Sequence, residues 1–381
     1  MFYELSVLTT KLSHLIIKLF KKSAGLTWPG HIVLTFFPNI LKDSGFVLDK
    51  GYVFISGTNG KTTTAKLIVH ILEAQGMKVS SNKSGANLLN GIVTSLLLDK
   101  DFFGDPKTEI GVLEVDEFAL PTLIKFIQPH ILLLLNVSRD QLDRYGETDT
   151  IVEKWRDALS TLKSNTTLVL DATQENLAGL TSSFKGNVFY FDNSVAENFT
   201  YPLEGDFNVK NTNAALLACN LLHVPVDVCT QALENFDAAY GRGEAINYKG
   251  TKFTTFLAKN PASFNNNLHM LLNMPGHNVF LCVLNDNIPD GRDVSWIYDI
   301  DPSKIAKVFF EKKVYISGTR AYDLALRLKY AGIYVAPENI NINLKENISK
   351  IVLSKEEKVF LLPNYSAMLE SREILTGRKI L

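Results

Sequence analysis

Apolar positions along this chain follow two spacings that alternate. Tyr52 to Ile55 is an unbroken apolar run, the mark of a strand buried on both faces, and a polar, glycine-bearing turn, Ser56 to Gly60, follows it. Lys61 to Gln75 then spaces Leu67, Ile68, Ile71 and Leu72 as one face of a helix. The alternation continues. A short strand is expected at Lys78 to Ser81, a loop from Asn82 to Asn90, and a helix through Leu98. Buried strands follow at Glu109 to Val115 and Ile131 to Leu135, then a helix from Thr150 to Leu162 and a strand from Thr167 to Leu170. A turn from Gly205 to Asn211 opens an alanine-rich helix, Thr212 to Leu222. A second unit starts near Gly241, with strands at 252–257, 278–284, 313–317 and 358–362 and helices at 263–273 and 320–331. Strands alternating with helices build parallel, doubly wound sheets, so two α/β units are expected.

Ahead of them, residues 3 to 22 read as a basic amphipathic helix. Leu5, Leu8, Leu12, Leu15, Ile16, Leu19 and Phe20 share a face, and lysines gather towards the C-terminal end. Such a face either packs on the next domain, the commoner use of an apolar stripe, or lies on a membrane surface. Pro29 and Pro38 interrupt the chain before the first strand. The expected division is an N-terminal helical segment packed on the central domain, 1–45, a central domain, 46–238, and a C-terminal domain, 239–381. No internal repeat or low-complexity segment is apparent.

The length of 381 residues suits two or three domains. With 39 basic and 40 acidic residues, the net charge of -1 provides no general field for nucleic acid. Cys219, Cys229 and Cys282 are scattered and form no Cys-x-x-Cys pair, which suits a reducing cytoplasm and argues against a zinc site. No apolar run reaches the roughly 20 residues that a membrane span needs, and lysines break up the N-terminal apolar residues in a way foreign to a signal peptide. A cytoplasmic protein is expected, with the inner face of the cell membrane as a place it can work.

The chemistry gathers where strands end. Strand, glycine turn and Lys-Thr at a helix start make a phosphate cradle, in which backbone N–H groups and the positive helix end face an anion. The segment Gly57-Thr58-Asn59-Gly60-Lys61-Thr62-Thr63 is a shortened form of the G-x-x-x-x-G-K-[ST] loop, which would need glycine at Ile55. It points to ATP, with Lys61 as a point charge and Thr62 on magnesium. A carboxylate at a neighbouring strand end completes a magnesium site; Glu114 is the first candidate and Asp116 the second, against the alternative of solvated strand-end charges. Asn208 and Asn211, beside a helix start, could read a nucleotide base or serve as N-caps. In the second unit, polar clusters at 258–262, 285–293, 317–320 and 363–365 all follow strands, which suggests a cleft between the two units.

Gly57-Thr-Asn-Gly-Lys-Thr-Thr, Asp140-Gln-Leu-Asp143, Gly205-x-Phe-Asn208-x-x-Asn211 and Gly241-Arg242 together resemble the Mur ligase family, the ATP-dependent amide ligases of peptidoglycan synthesis. The segments 258–262, 285–299, 317–320 and 363–365 resemble the branch of that family that amidates lipid II, over about residues 10 to 370. The resemblance implies a central P-loop ATPase domain with a parallel sheet and a C-terminal Rossmann-like α/β domain. It implies ATP and Mg2+ as cofactors and lipid II as substrate, with amidation of the α-carboxylate of D-glutamate through an acyl phosphate. Lys61, Thr62 and Glu114 would neutralise charge there, Asn208 and Asn211 would lie near adenine, and Arg242 would reach ATP from the second domain. No glutaminase nucleophile is recognisable, and the family obtains ammonia from a GatD-type glutaminase subunit. By the same resemblance Asp293 would complete that partner's Cys–His pair; a capping role before Ser295 is its alternative. Two departures stand out. The four-cysteine zinc ribbon carried by many members of the branch has no counterpart around Asp192 to Glu204, and Gln141 stands where many Mur ligases have histidine. The remaining alternatives are a ligase that adds an amino acid and a nucleotide-binding scaffold.

Overall fold

The computed structural model describes residues 2–19, 27–82, 86–138, 148–196, 198–237, 241–274 and 279–378. Two six-stranded sheets organise it. The first contains β1 (Tyr52–Ser56), β2 (Val79–Ser81), β3 (Ile110–Glu114), β4 (Ile131–Leu134), β5 (Thr167–Asp171) and β6 (Asn187–Phe191). Its order is β2-β3-β1-β4-β5-β6, and every neighbouring pair is parallel. β1 is thus central, flanked by β3 and β4. The reason for the unbroken apolar runs is visible in the packing. Tyr52 and Phe54 join the core on one face of the sheet, Val53 and Ile55 the core on the other, and Leu113 and Val112 divide in the same way. Parallel strands covered on both faces need apolar side chains at every position.

The second sheet contains β7 (Arg242–Tyr248), β8 (Thr251–Phe256), β9 (Val279–Val283), β10 (Lys313–Ser317), β11 (Ile340–Asn341) and β12 (Lys358–Pro363), in the order β11-β10-β9-β12-β8-β7. It is parallel except for β7, which returns antiparallel against β8 with a register shift between Arg242 and Glu244. Phe280 and Cys282 face one core, and Val279, Leu281 and Val283 the other. The architecture is therefore α/β, a parallel sheet followed by a mixed one, as the alternating pattern predicts. All three cysteines are buried free thiols.

The N-terminal helices, Phe2–Leu19 and Trp28–Phe36, cover one face of the first sheet through Tyr3, Val7, Val33 and the helix Leu89–Leu98. The contact reverses the expected face. Tyr3, Ser6, Val7 and Thr10 are buried, whereas Leu5, Leu8, Leu12, Leu15, Ile16 and Leu19 are exposed. The buried side is held by polar bonds: the Tyr3 hydroxyl donates to Gly45 O at 3.0 Å and Lys11 Nζ to Lys100 O at 2.7 Å. Phe20 lies outside the described residues, as do Lys21 and Lys22.

Candidate active site

β1 ends at Ser56, whose hydroxyl donates to Val115 O across the sheet at 2.9 Å. The chain then turns through Gly57 at φ +140° and Gly60 at φ +92°, a region that side chains avoid. Space forbids them as well. A Cβ on Gly57 would meet Asn136 N at 2.9 Å, and one on Gly60 would meet Asn211 Oδ1 at 2.3 Å. The turn is clamped to the end of β4. Thr58 N–H donates to Asn136 O at 3.0 Å, Asn59 N–H to Asn136 Oδ1 at 2.9 Å, and Asn136 Nδ2 returns a bond to Asn59 O at 2.9 Å. Gly60 caps the helix Lys61–Ala74 without a side chain. The helix's first N–H groups are therefore left for a ligand, at its positive end.

Charge is arranged around that opening. Lys61 Nζ donates to Gly57 O and pairs with Glu117 Oε2 at 3.1 Å, with only 7% and 3% of the two side chains exposed. Thr62 Oγ1 donates to Glu114 Oε2 at 2.8 Å, and Asn87 Nδ2 reaches Glu114 Oε1 at 3.4 Å. Asn82 fixes the backbone beneath Glu114, receiving its N–H at 2.9 Å and donating to its carbonyl at 2.7 Å. Asp116 also borders the cleft, but its Oδ1 accepts Phe118 N–H at 3.0 Å, a local turn that engages one of its oxygens. Of the two candidate carboxylates, Glu114 is the one bonded to Thr62. Glu117 stands in the same strand-end run, but its pairing depends on the turn after β3, which sequence spacing does not determine.

The opposite wall belongs to the second domain. Arg242, the first residue of β7, faces the cleft; burial disfavours its charge, while nearby Glu114 and Tyr365 offset this. Gly241 (φ +71°) and Gly243 (φ +91°) bracket it, and Glu244 fixes the strand start by accepting from Arg372 Nε at 3.0 Å. Tyr365, just beyond β12, has its phenol pKa pushed up by burial, then by Glu114 and Asp290, with Arg242 acting against them. Buried Asp290 is also pushed up by burial, partly offset by Ser366, whose N–H it accepts at 2.8 Å. The walls are tied to one another by Asn260, whose Nδ2 donates to Asn59 Oδ1 at 3.3 Å. Asn208 and Asn211 border the same cleft. Asn208 Nδ2 donates to Glu204 O at 2.7 Å, and Asn211 lies behind Gly60, with its Nδ2 at 3.4 Å from Asn208 Oδ1.

The cleft thus assembles Thr58 to Thr63, Glu114, Asn208, Asn211 and Arg242 from both domains, with Gly57 at the start of the turn and not in the lining. Asp293 lies apart from it, exposed on the second domain. Its Oδ1 accepts Ser295 N–H at 2.8 Å, and hydrogen bonds from Ser295 hold its carboxyl below the usual range. Asp140, Gln141 and Asp143 fall outside the described residues. The donor set fits a magnesium nucleotide. A hydroxyl and a carboxylate are hard oxygen donors, and the described residues contain no cluster of three or more His, Cys, Asp or Glu able to hold a metal. An ion here would therefore share its coordination with phosphate oxygens and water, the usual habit of Mg2+.

Residues 55–195 match the Mur ligase middle domain, and residues 257–368 match the MurT ligase C-terminal domain. The chain thus resembles the Mur ligases in its middle domain and their MurT branch in its C-terminal domain. The chain is 29% identical to the lipid II isoglutaminyl synthase (glutamine-hydrolyzing) subunit MurT of Staphylococcus aureus, over 92% of this chain and 93% of that one. Its likeness to the protein of the same name in Streptococcus pneumoniae is 28%, over 99% and 97%. Among solved structures, MurF of Acinetobacter baumannii superposes with a TM-score of 0.68 at 16% identity, over 91% of this chain and 79% of that one. The folylpolyglutamate synthase of Mycobacterium tuberculosis, solved with ADP and AMPPCP, gives 0.67 at 14%, over 97% and 100%. These structural neighbours share the chain's two-domain α/β fold.

Proposed function

We propose that this chain is the synthetase subunit of a glutamine-dependent lipid II amidase. It uses ATP to activate the α-carboxylate of D-glutamate in the stem peptide, and ammonia from a GatD-type glutaminase displaces phosphate to leave D-isoglutamine. The observation that carries the reading is the cleft in which Lys61, Thr62 and Glu114 of one domain face Arg242 and Tyr365 of the other, in a chain whose MurT relatives align over nearly its whole length.

The residues suit the chemistry. A carboxylate and a triphosphate repel one another, so the main need is positioning and cation neutralisation. The N–H groups at the start of the helix Lys61–Ala74 and the Lys61 ammonium hold the phosphates. Thr62 and Glu114 would hold Mg2+, which when bound supplies Lewis-acid neutralisation of phosphate oxygens. Arg242 brings a second cation from the opposite wall. Phosphoryl transfer to the carboxylate then forms the acyl phosphate and ADP. Attack of ammonia on its carbonyl breaks the C–O bond to phosphate, and the nitrogen sheds a proton to give the amide. Asn208 and Asn211 border the nucleotide end. Asp293, exposed and oriented by Ser295, serves the partner's Cys–His pair. The reading places the chain in the cytoplasm, beside a substrate held in the membrane.

The test is reconstitution with the glutaminase, glutamine, ATP, Mg2+ and lipid II. The expected product is lipid II in which one carboxyl OH has become NH2, with ADP and phosphate released. Turnover that requires a free amino acid and ignores glutamine would instead identify an amino-acid-adding ligase. Nucleotide binding without acceptor-dependent turnover would identify a scaffold.

A further inference from the structure

The first helix presents Phe2, Leu5, Leu8, Leu12, Leu15 and Leu19 to solvent, each at least 48% exposed. They lie opposite Tyr3, Ser6, Val7 and Thr10, through which the helix packs on the protein. A contiguous apolar face of this length is far more than scattered surface leucines, and it marks a binding surface. Beside it, a loop closed by the Lys100–Pro106 bridge raises Phe102 and Phe103 into solvent, 72% and 82% exposed. Lys11 joins the two features, with its ammonium 4.7 Å from the Phe102 ring centroid.

We propose that this face is an interfacial surface that lies on an anionic phospholipid bilayer. Charge selects that occupant. Residues 1 to 22 carry Lys11, Lys18, Lys21 and Lys22 against Glu4, and the segment 100–107 adds Lys100 and Lys107 against Asp101 and Asp105, which leaves the two together basic. An aliphatic stripe with aromatic residues at its edge, in a lysine-rich sequence, is the composition of a helix lying in the headgroup layer. Among the described residues, no helix is long and apolar enough to cross a membrane, so the helix lies on the bilayer and does not span it. The inference deepens the reading above and rests on it for biological sense, since adsorption would place the cleft near a lipid-linked acceptor. Its physical basis, the exposed face, is independent of that reading.

The test is co-sedimentation of the full chain with vesicles of phosphatidylcholine alone or mixed with phosphatidylglycerol. The wild type is expected to pellet with the mixed vesicles and more weakly with the neutral ones. Leu8→Glu with Leu15→Glu should lower the partition at least about tenfold, because two aliphatic side chains that would enter the headgroup layer become charged. Thermal melting and nucleotide binding should be unchanged. Phe102→Ser with Phe103→Ser provides a second variant, with the same direction expected, should the first fail to fold. Wild type left in the supernatant of both vesicle types overturns the proposal, and so does an undiminished partition of the folded variants. A wild-type dimer that the leucine variant converts to monomer also overturns it, by assigning the face to a second copy. The functional reading fails separately: a water-soluble muramyl-peptide acceptor without a lipid tail should support equal ADP release by wild type and leucine variant. If neither turns over, that reading falls while the sedimentation result stands.

Discussion

Lys61 and Glu117 are nearly withdrawn from water, so each depends on the other. Removing one partner of a buried pair leaves an uncompensated charge, at a cost of about 3–5 kcal/mol. Lys61→Ala should therefore lower the denaturant midpoint as well as ADP release. Lys61→Met combined with Glu117→Gln should recover most of the stability and none of the turnover, which separates the cation's structural role from its phosphate role. Recovery of turnover in the double variant would remove Lys61 from the chemistry. Asp290 gives a pH signature. Its folded pKa is raised by burial above the ordinary 3.8, so the folded state holds the proton more tightly than the unfolded chain does. The stability this confers is complete below 3.8 and is lost as pH rises through the folded value. Asp290→Asn, which cannot ionise, should flatten that slope. The difference in unfolding free energy between variant and wild type, measured at a series of pH values above 3.8, should grow in the variant's favour.

At the scale of elements, the cradle depends on Gly60 more than on any side chain. Gly60→Ala would place a Cβ at 2.3 Å from Asn211 Oδ1 in a left-handed conformation. The expected cost is about 1–3 kcal/mol from the backbone alone, with a fall in nucleotide affinity. Calorimetric melting and nucleotide titration would measure both, and an unaltered melting temperature would show that the turn relaxes. How much of this is legible in the chain depends on burial. β1, β3, β4 and β9 are wholly buried, so their apolar runs announce them. β6 and β7 are edge strands with polar residues and much exposure, and no strand was expected at either. The helix Asp206–Leu221 begins six residues before the expected Thr212, because its first turns carry Asp206, Asn208, Lys210 and Asn211 and show no apolar period. Lys61, Thr62 and Glu114 are legible as strand-end chemistry. Glu117, Tyr365 and Asp290 acquire their positions from tertiary packing, and the outward turn of the leucine face depends on which side of the helix finds Tyr3 and Val7 partners.

The whole molecule divides the proposed labour between two places. The proposed nucleotide cleft lies where the domains meet, joined by polar contacts such as Asn260 to Asn59 and the approach of Arg242 to Glu114. Asp293 lies on the outer surface of the second domain, fastened only to the turn that follows it. Its carboxyl is held below the usual range, so it is ionised at neutral pH and able to accept a histidine N–H from a docked protein. If it orients the glutaminase's histidine, it acts on nitrogen release and leaves carboxyl activation alone. Asp293→Asn keeps the shape and an acceptor oxygen for Ser295 but removes the charge that favours an imidazolium. In the reconstituted complex, amidation driven by glutamine should fall by at least about a hundredfold, a loss in the range attributed to general acid–base groups. Amidation driven by added ammonium chloride should stay within about twofold of wild type, far short of the loss that removing such a group brings. Equal loss with both nitrogen sources would move Asp293 into the fold or the synthetase cleft. Equal retention with both would leave the partner's triad to be completed from elsewhere. A pull-down of the glutaminase by the variant, undiminished from wild type, would show that docking survives and that the charge is what is missing.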